Sequence, residues 1–112
     1  MMAGPEATEQ PDRIVSPDDM TGRAADAAAF MKALAHEGRM MILCHLASGE
    51  KTVSELEELL GQRQAAISQQ LARLRSEGLV KYRPQGKSRQ YYIADPRAAE
   101  LIGLMYRLFC AT

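Results

Sequence analysis

Between Thr52 and Ile93 the chain sets two short helical patterns across a tight turn and follows them with two strand-like runs, an order that few folds accept. The first helix opens at Thr52-Val53-Ser54 and carries Leu56, Leu59 and Leu60 at helical spacing, with Glu55, Glu57 and Glu58 in its first turns. Gly61 stops it. After Gln62-Arg63, a second helix places Ile67, Leu71 and Leu74 on one face, at i, i+4 and i+7. Its opposite face holds Ala65, Gln69, Ala72 and Ser76, all small, neutral or hydrogen-bonding. Gly78 ends the helix. Leu79 to Arg83 and Arg89 to Ile93 then read as the strands of a hairpin around a Pro84-Gln85-Gly86-Lys87 turn.

A helix with such an outward face suits the major groove of DNA, because alanine permits close approach while Gln, Ser and Arg can pair with base edges or phosphates. Its candidate contacts are Arg63, Gln64, Ser68, Gln69 and Arg73. The hairpin adds Lys81, Arg83, Lys87 and Arg89, cations that a narrow ribbon can lay against phosphates or a minor groove. Tyr82, Tyr91 and Tyr92 are expected to pack and shape the ribbon. Helix pair and ribbon together describe a winged helix-turn-helix.

Net charge conceals this. Fourteen basic and fourteen acidic residues balance over the 112-residue chain, but the split by position is lopsided. Residues 1–60 hold five basic and eleven acidic side chains, whereas residues 61–112 hold nine basic and three acidic. Positive charge therefore gathers on the segment proposed to read DNA.

A chain of this length makes one domain, and 46% hydrophobic residues is ordinary for a globular protein. Residues 1–19, with three prolines among five acidic side chains and no apolar period, are expected to be a flexible tail, leaving 20–112 as the folded domain. The longest oily run, Met40 to Leu46, is interrupted by His45 and too short for a signal core or a membrane span. A cytoplasmic protein without a membrane partner is the expectation, with Cys44 and Cys110 as free thiols at rest.

Upstream of the reading segment, Ala24 to Ala35 forms an alanine-rich helical pattern, followed by His36-Glu37-Gly38-Arg39 and a helix from Met40 to Ala47. Apolar residues surround that second helix, so it is expected to be buried, its methionines filling core space. Downstream, Asp95-Pro96 is a start signal for a last helix reaching about Cys110. Ala98, Leu101, Leu104, Met105 and Leu108 form its apolar stripe, which Ile102 and Phe109 widen. One small domain cannot cover so broad a face. A homodimer using Leu101, Leu104, Met105 and Leu108 follows, and a two-fold dimer would meet an inverted-repeat DNA site.

The residues resemble the ArsR family of bacterial winged-helix repressors over Ala24 to Cys110. The resemblance rests on Lys32-Ala33-Leu34-Ala35, Arg39, Ile42-Leu43, Ser54-Glu55-Leu56, Gln64 to Leu71 and Glu77-Gly78-Leu79-Val80. It implies an α-α-α-α-β-β-α order, dimerisation through the first and last helices, and repression until an inducer binds. Gln70 stands where many members carry His. Metal-sensing members use a Cys-Val-Cys where this chain has Thr52-Val53-Ser54, and Asp/His and His/Glu pairs that its last helix lacks. No metal or other cofactor is therefore expected, and His36 and His45 read as structural or solvated.

Two readings of the cysteines stand on the residues alone: small buried hydrophobes, or a reactive pair. Their positions are similar to those of the thiol-redox, persulfide-responsive repressors of the SqrR/BigR type. That resemblance implies that the reduced dithiol form binds operator DNA, and that persulfides or oxidants bridge Cys44 and Cys110 and release it, derepressing sulfide-handling genes. On the last helix, Arg107 at i−3 from Cys110 is placed to favour its thiolate. A soft-metal or arsenite-responsive repressor and a general peroxide or disulfide sensor are the alternatives. An enzyme is not expected, since a thiol oxidoreductase would carry a Cys-x-x-Cys motif.

Overall fold

The computed structural model describes residues 15–110 in the order α1 (Pro17–Thr21), α2 (Ala24–Leu34), α3 (Glu37–Ala47), α4 (Val53–Leu60), α5 (Gln64–Ser76), β1 (Val80–Gln85), β2 (Ser88–Ile93) and α6 (Pro96–Phe109). This is the expected winged helix-turn-helix, with one helical turn added in front. The tail expectation falls mostly on residues 1–14, outside the described residues. Its last three positions belong to α1, a turn that no apolar period announces. Local polar bonds make it instead: Ser16 Oγ accepts from the Asp19 N–H at 3.3 Å, and the Thr21 hydroxyl donates to the Pro17 carbonyl at 2.9 Å.

Short-range capping sets the other boundaries. Thr52 and Glu55 close a reciprocal capping box at the start of α4, with bonds of 2.7 and 3.1 Å. Gly61 ends α4 at φ +65°, where a side chain would strain the backbone. α3 begins three residues earlier than its apolar pattern indicates, because the His36 ring caps it, Nδ1 accepting from the Gly38 and Arg39 N–H groups. Arg39 in turn reaches back over the end of α2, donating to the Ala33 carbonyl at 2.6 Å and the Lys32 carbonyl at 3.4 Å. The corner between α2 and α3 is thus fixed by two neighbouring side chains.

The core is one cluster. Leu34 of α2, Ile42, Leu43 and Leu46 of α3, Leu56 of α4, Ile67, Leu71 and Leu74 of α5, then Leu79, Val80, Tyr91, Ala98 and Ile102 are buried together. α5 buries the three residues its period selects. Two expectations need correction. Leu59 lies off the core, half exposed, because Leu56 alone of the α4 leucines points straight at α3 and α5. α3 is buried along a single stripe, and Met41 and Cys44 are exposed.

The wing is an antiparallel hairpin in which Tyr82 pairs with Tyr91 and Pro84 with Arg89. The strands run closer to the tip than expected. Pro84 and Gln85 stay in β1, and the turn shrinks to Gly86-Lys87, with Gly86 at φ +62°. Proline is tolerated there because β1 is an edge strand. On its other side β2 bonds to Lys51, through the Lys51 N–H to Tyr91 carbonyl at 3.1 Å and the Tyr91 N–H to Lys51 carbonyl at 2.8 Å.

Candidate nucleic-acid interface and thiol pair

A polar cleft of about 330 Å³ separates the start of α5 from the wing. Gln64 and Ser68 line one wall, Lys87, Ser88, Arg89 and Tyr91 the other, and Thr52, Val53 and Ser54 the end contributed by α4. Four of the nine sequence-predicted DNA residues therefore meet here: Gln64, Ser68, Lys87 and Arg89. Gln69 and Arg73 are exposed on the outward side of α5, and Arg73 holds an ion pair with Glu77 at 3.4 Å. Arg63 precedes α5 as an N-cap that makes no side-chain cap bond, so its guanidinium is free of that duty.

The wing cations do not share a face. Strand alternation through the Tyr82–Tyr91 pair puts Arg89 on the side of Val80, Tyr82 and Tyr91, towards α5, and puts Lys81 and Arg83 on the other. Lys87 is at the tip. Arg83 is also already engaged: its Nε donates to Glu50 Oε1 at 3.1 Å, its Nη2 to the other carboxylate oxygen, and its head lies 4.8 Å from the Tyr92 ring centroid. Glu50 accordingly raises the Arg83 pKa further above its ordinary value. The ribbon read as uniformly basic thus carries one cation that is already neutralised.

Sequence reasoning missed Thr52, Ser54, Ser88 and Arg75. The signal for Arg75 was its i+7 spacing from Ser68, which puts both on the side of α5 that faces the wing. Its guanidinium lies 4.7 Å from the Tyr82 ring centroid, and that of Arg89 lies 4.4 Å from the same ring.

The second candidate site is the seam between α3 and α6. Cys44, Ala47 and Ser48 face Ala99, Ile102, Gly103, Tyr106 and Arg107 across a groove of about 350 Å³. Cys110 follows one turn after Tyr106, its N–H bonded to the Tyr106 carbonyl at 2.8 Å. Both thiols are free and exposed in the single chain. Burial of its surroundings pushes the Cys44 thiol pKa up, and negative charge on Cys110 pushes it further. The two sulfurs thus stand within electrostatic reach of each other. Arg107 Nη1 leans back over Gly103, to within 3.5 Å of where a Cβ would sit there, in the direction helical side chains take.

α6 carries two apolar faces. Ala98 and Ile102 are sunk in the core, whereas Leu104, Leu108 and Phe109 are exposed, Phe109 by 80%, and Leu101 and Met105 lie between. Of the sequence-predicted dimer residues, Leu104 and Leu108 thus face solvent in the single chain, Met105 is half-buried, and Leu101 packs against the edge of the core. Met31 of α2 is exposed on the same terms, and Arg97 rests 4.8 Å from the Phe30 ring centroid, tying α6 to α2. Among the described residues no group of three or more His, Cys, Asp or Glu side chains is arranged to hold a metal, and no helix is long and apolar enough to cross a membrane. His36 is spent on its cap.

A helix pair that buries one face, offers another and carries a basic hairpin defines a winged-helix DNA-binding regulator. The sequence profile described as "Bacterial regulatory protein, arsR family" matches residues 36–82. Over 92 residues the chain is 46% identical to the biofilm growth-associated repressor of Agrobacterium fabrum, covering 82% of this chain and 79% of that protein. The crystal structure of the transcriptional repressor BigR from Xylella fastidiosa superposes with a TM-score of 0.82 at 39% identity, covering 88% of this chain and all of that one. Reduced HlyU from Vibrio cholerae superposes at 0.78 and 38% identity, over 83% of this chain and 98% of its own. The chain belongs to the arsR family of bacterial regulatory proteins. It is a DNA-binding transcriptional repressor of the type that the Agrobacterium fabrum protein and BigR represent, not an enzyme.

Proposed function

We propose that the protein is a cytoplasmic homodimeric repressor that holds an inverted-repeat operator while Cys44 and Cys110 are reduced, and lets go when sulfur bridges them. α5 lies in the major groove with Gln64, Ser68 and Gln69 on base edges, while Arg63, Arg73 and the wing cations meet phosphates. The exposed faces of α2 and α6 join two copies, through Leu101, Leu104, Met105 and Leu108. The observation that carries the switch is the placement of Cys44 on the α3–α6 groove, whose other wall includes Tyr106, one helical turn before Cys110.

The chemistry balances without a metal. A cysteine thiolate takes the outer sulfur of a persulfide RSSH and releases the thiolate RS⁻, leaving a protein persulfide. The second thiol attacks its inner sulfur, hydrosulfide leaves, and a disulfide closes. Two protein persulfides condensing with loss of hydrogen sulfide give a trisulfide instead. Burial and the neighbouring Cys110 both disfavour the Cys44 thiolate, so we assign Cys44 the second, resolving step. Either bridge ties α3, which supports the reading head, to the dimer helix α6. A small rotation of one head against the other then breaks the match to half-sites about one helical turn apart, and a coupling of about 1–3 kcal/mol suffices.

The test is mass spectrometry of the reduced full chain treated with an inorganic polysulfide, run beside gel shifts on a duplex the chain itself enriches from a random pool. Joined Cys44 and Cys110 peptides carrying extra sulfur, with loss of the shifted band, are expected. A bridge formed equally by hydrogen peroxide, with no added sulfur, makes the chain a general oxidant sensor; tight stoichiometric arsenite binding that releases DNA makes it a soft-metal sensor. Release that persists in Cys44→Ser or Cys110→Ser excludes the bridge.

A further inference from the structure

The outer half of the wing has no core of its own: from Lys81 to Gln90 no residue is buried. A two-stranded ribbon in that condition is marginally ordered in water. Two surface ties hold it. One face is anchored by the Arg83–Glu50 pair, and the other by Tyr82, whose ring is shared by Arg75 from α5 and Arg89 from β2 at 4.7 and 4.4 Å. Tyr91 supports the same ring from its core-facing side of the hairpin, 5.4 Å away and tilted 51°. Arg75 is the member that comes from outside the wing.

We propose that Arg75, Tyr82 and Arg89 form a latch that sets the wing's angle against the reading helix, making Tyr82 and Arg75 positioning residues for operator recognition. The two guanidinium groups repel each other, and the negative face of one aromatic ring between helix and ribbon offsets that repulsion for both. The latched Arg89 lines the α5–wing cleft while its head is held against Tyr82, so docking on DNA need not order a free arm. Operator binding, which needs reading helix and wing in register together, gains from this. Loose association with arbitrary DNA does not.

The proposal rests on the DNA-reading assignment, and full-length reduced variants separate the two. The probes are a duplex enriched from a random pool by the wild-type chain and a random duplex of equal length. Two ring–cation contacts at exposed positions predict that Tyr82→Leu weakens binding to the enriched duplex by about five- to thirty-fold. Tyr82→Phe should restore it, and the random duplex should be bound as before. Arg75→Gln, a surface change that leaves the fold intact should Tyr82→Leu not fold, removes one of the two contacts and is expected to lose about two- to five-fold with the salt slope unchanged. In amide relaxation, Gly86 to Ser88 should gain fast motion in both variants while α5 does not. Unchanged affinity in Arg75→Gln overturns the latch, and so does a salt slope lowered by about one, which would make Arg75 a phosphate contact. Equal losses on both duplexes, or a Tyr82→Phe no better than Tyr82→Leu, overturn it as well. A wild-type chain that enriches no sequence removes the reading head and the latch together.

Discussion

Lys87 offers the most direct measure of how the wing contributes to affinity. It sits on the two-residue turn at the tip, exposed, and makes no ion pair among the described residues. Each phosphate it neutralises releases condensed counterions, worth about 0.9 in the slope of log K against log salt. Two wings in a dimer make the change in Lys87→Ala about 1.8. Between about 50 and 200 mM salt, roughly a fourfold range, the wild-type protein should then lose about twelve-fold more affinity than the variant. Fluorescence anisotropy on a labelled random duplex at several salt concentrations reads this directly, since the phosphate contribution is independent of sequence. Arg83→Ala is the internal comparison: Glu50 already neutralises that guanidinium, so its slope should change less. A Lys87→Ala slope indistinguishable from wild type would show that the wing tip does not touch the backbone, and a larger change in Arg83→Ala would reverse the assignment of the two cations.

Gln69→Ala should bring operator affinity down towards that for random DNA by about 1–3 kcal/mol, and an equal loss on both duplexes in competition binding would contradict base reading. Leu108→Glu should give monomers in analytical ultracentrifugation with the helix content of the wild type, because Leu108 is 64% exposed in the single chain; a persistent dimer would place the interface elsewhere. Arg39→Ala strips the donor from the Ala33 and Lys32 carbonyls and should cost about 1–2 kcal/mol, read as a lowered melting temperature. Iodoacetamide trapping of Cys44 should rise with pH later than in an unfolded peptide, and Cys110→Ser should move it part of the way back, since burial, the larger cause, stays. The sign for stability is fixed by the same shift. A thiol pKa raised in the fold contributes stability that is complete below the ordinary thiol value and is lost as pH climbs through the raised one, so urea midpoints should decline on the alkaline side.

Helices α2 to α6, most of their boundaries and the outward face of α5 were legible in the residues because each is decided within four or five positions, whereas the first residues of α1 read as part of a tail. Thr52 with Glu55, Asp95 with Pro96, and Ile67, Leu71 and Leu74 act over single turns, and nothing distant opposes them. The early start of α3 escaped notice because a histidine ring rather than a hydroxyl caps it. Which side of an apolar helix meets the core is another matter. α3 and α6 are each apolar over more than one face, and only the packing of one on the other sends Ile42 and Ile102 inward while leaving Cys44, Leu108 and Phe109 outside. Likewise the wing's cations are visible as letters, but their division between two faces depends on strand register, and the capture of Arg83 by Glu50 depends on a loop thirty-three residues away. Local bonding wrote the list of elements; the meeting of Cys44 with Tyr106 and Arg107 across the α3–α6 groove, and of Arg75 with Tyr82, came from burial of a shared core, which brings together residues that no short-range period connects.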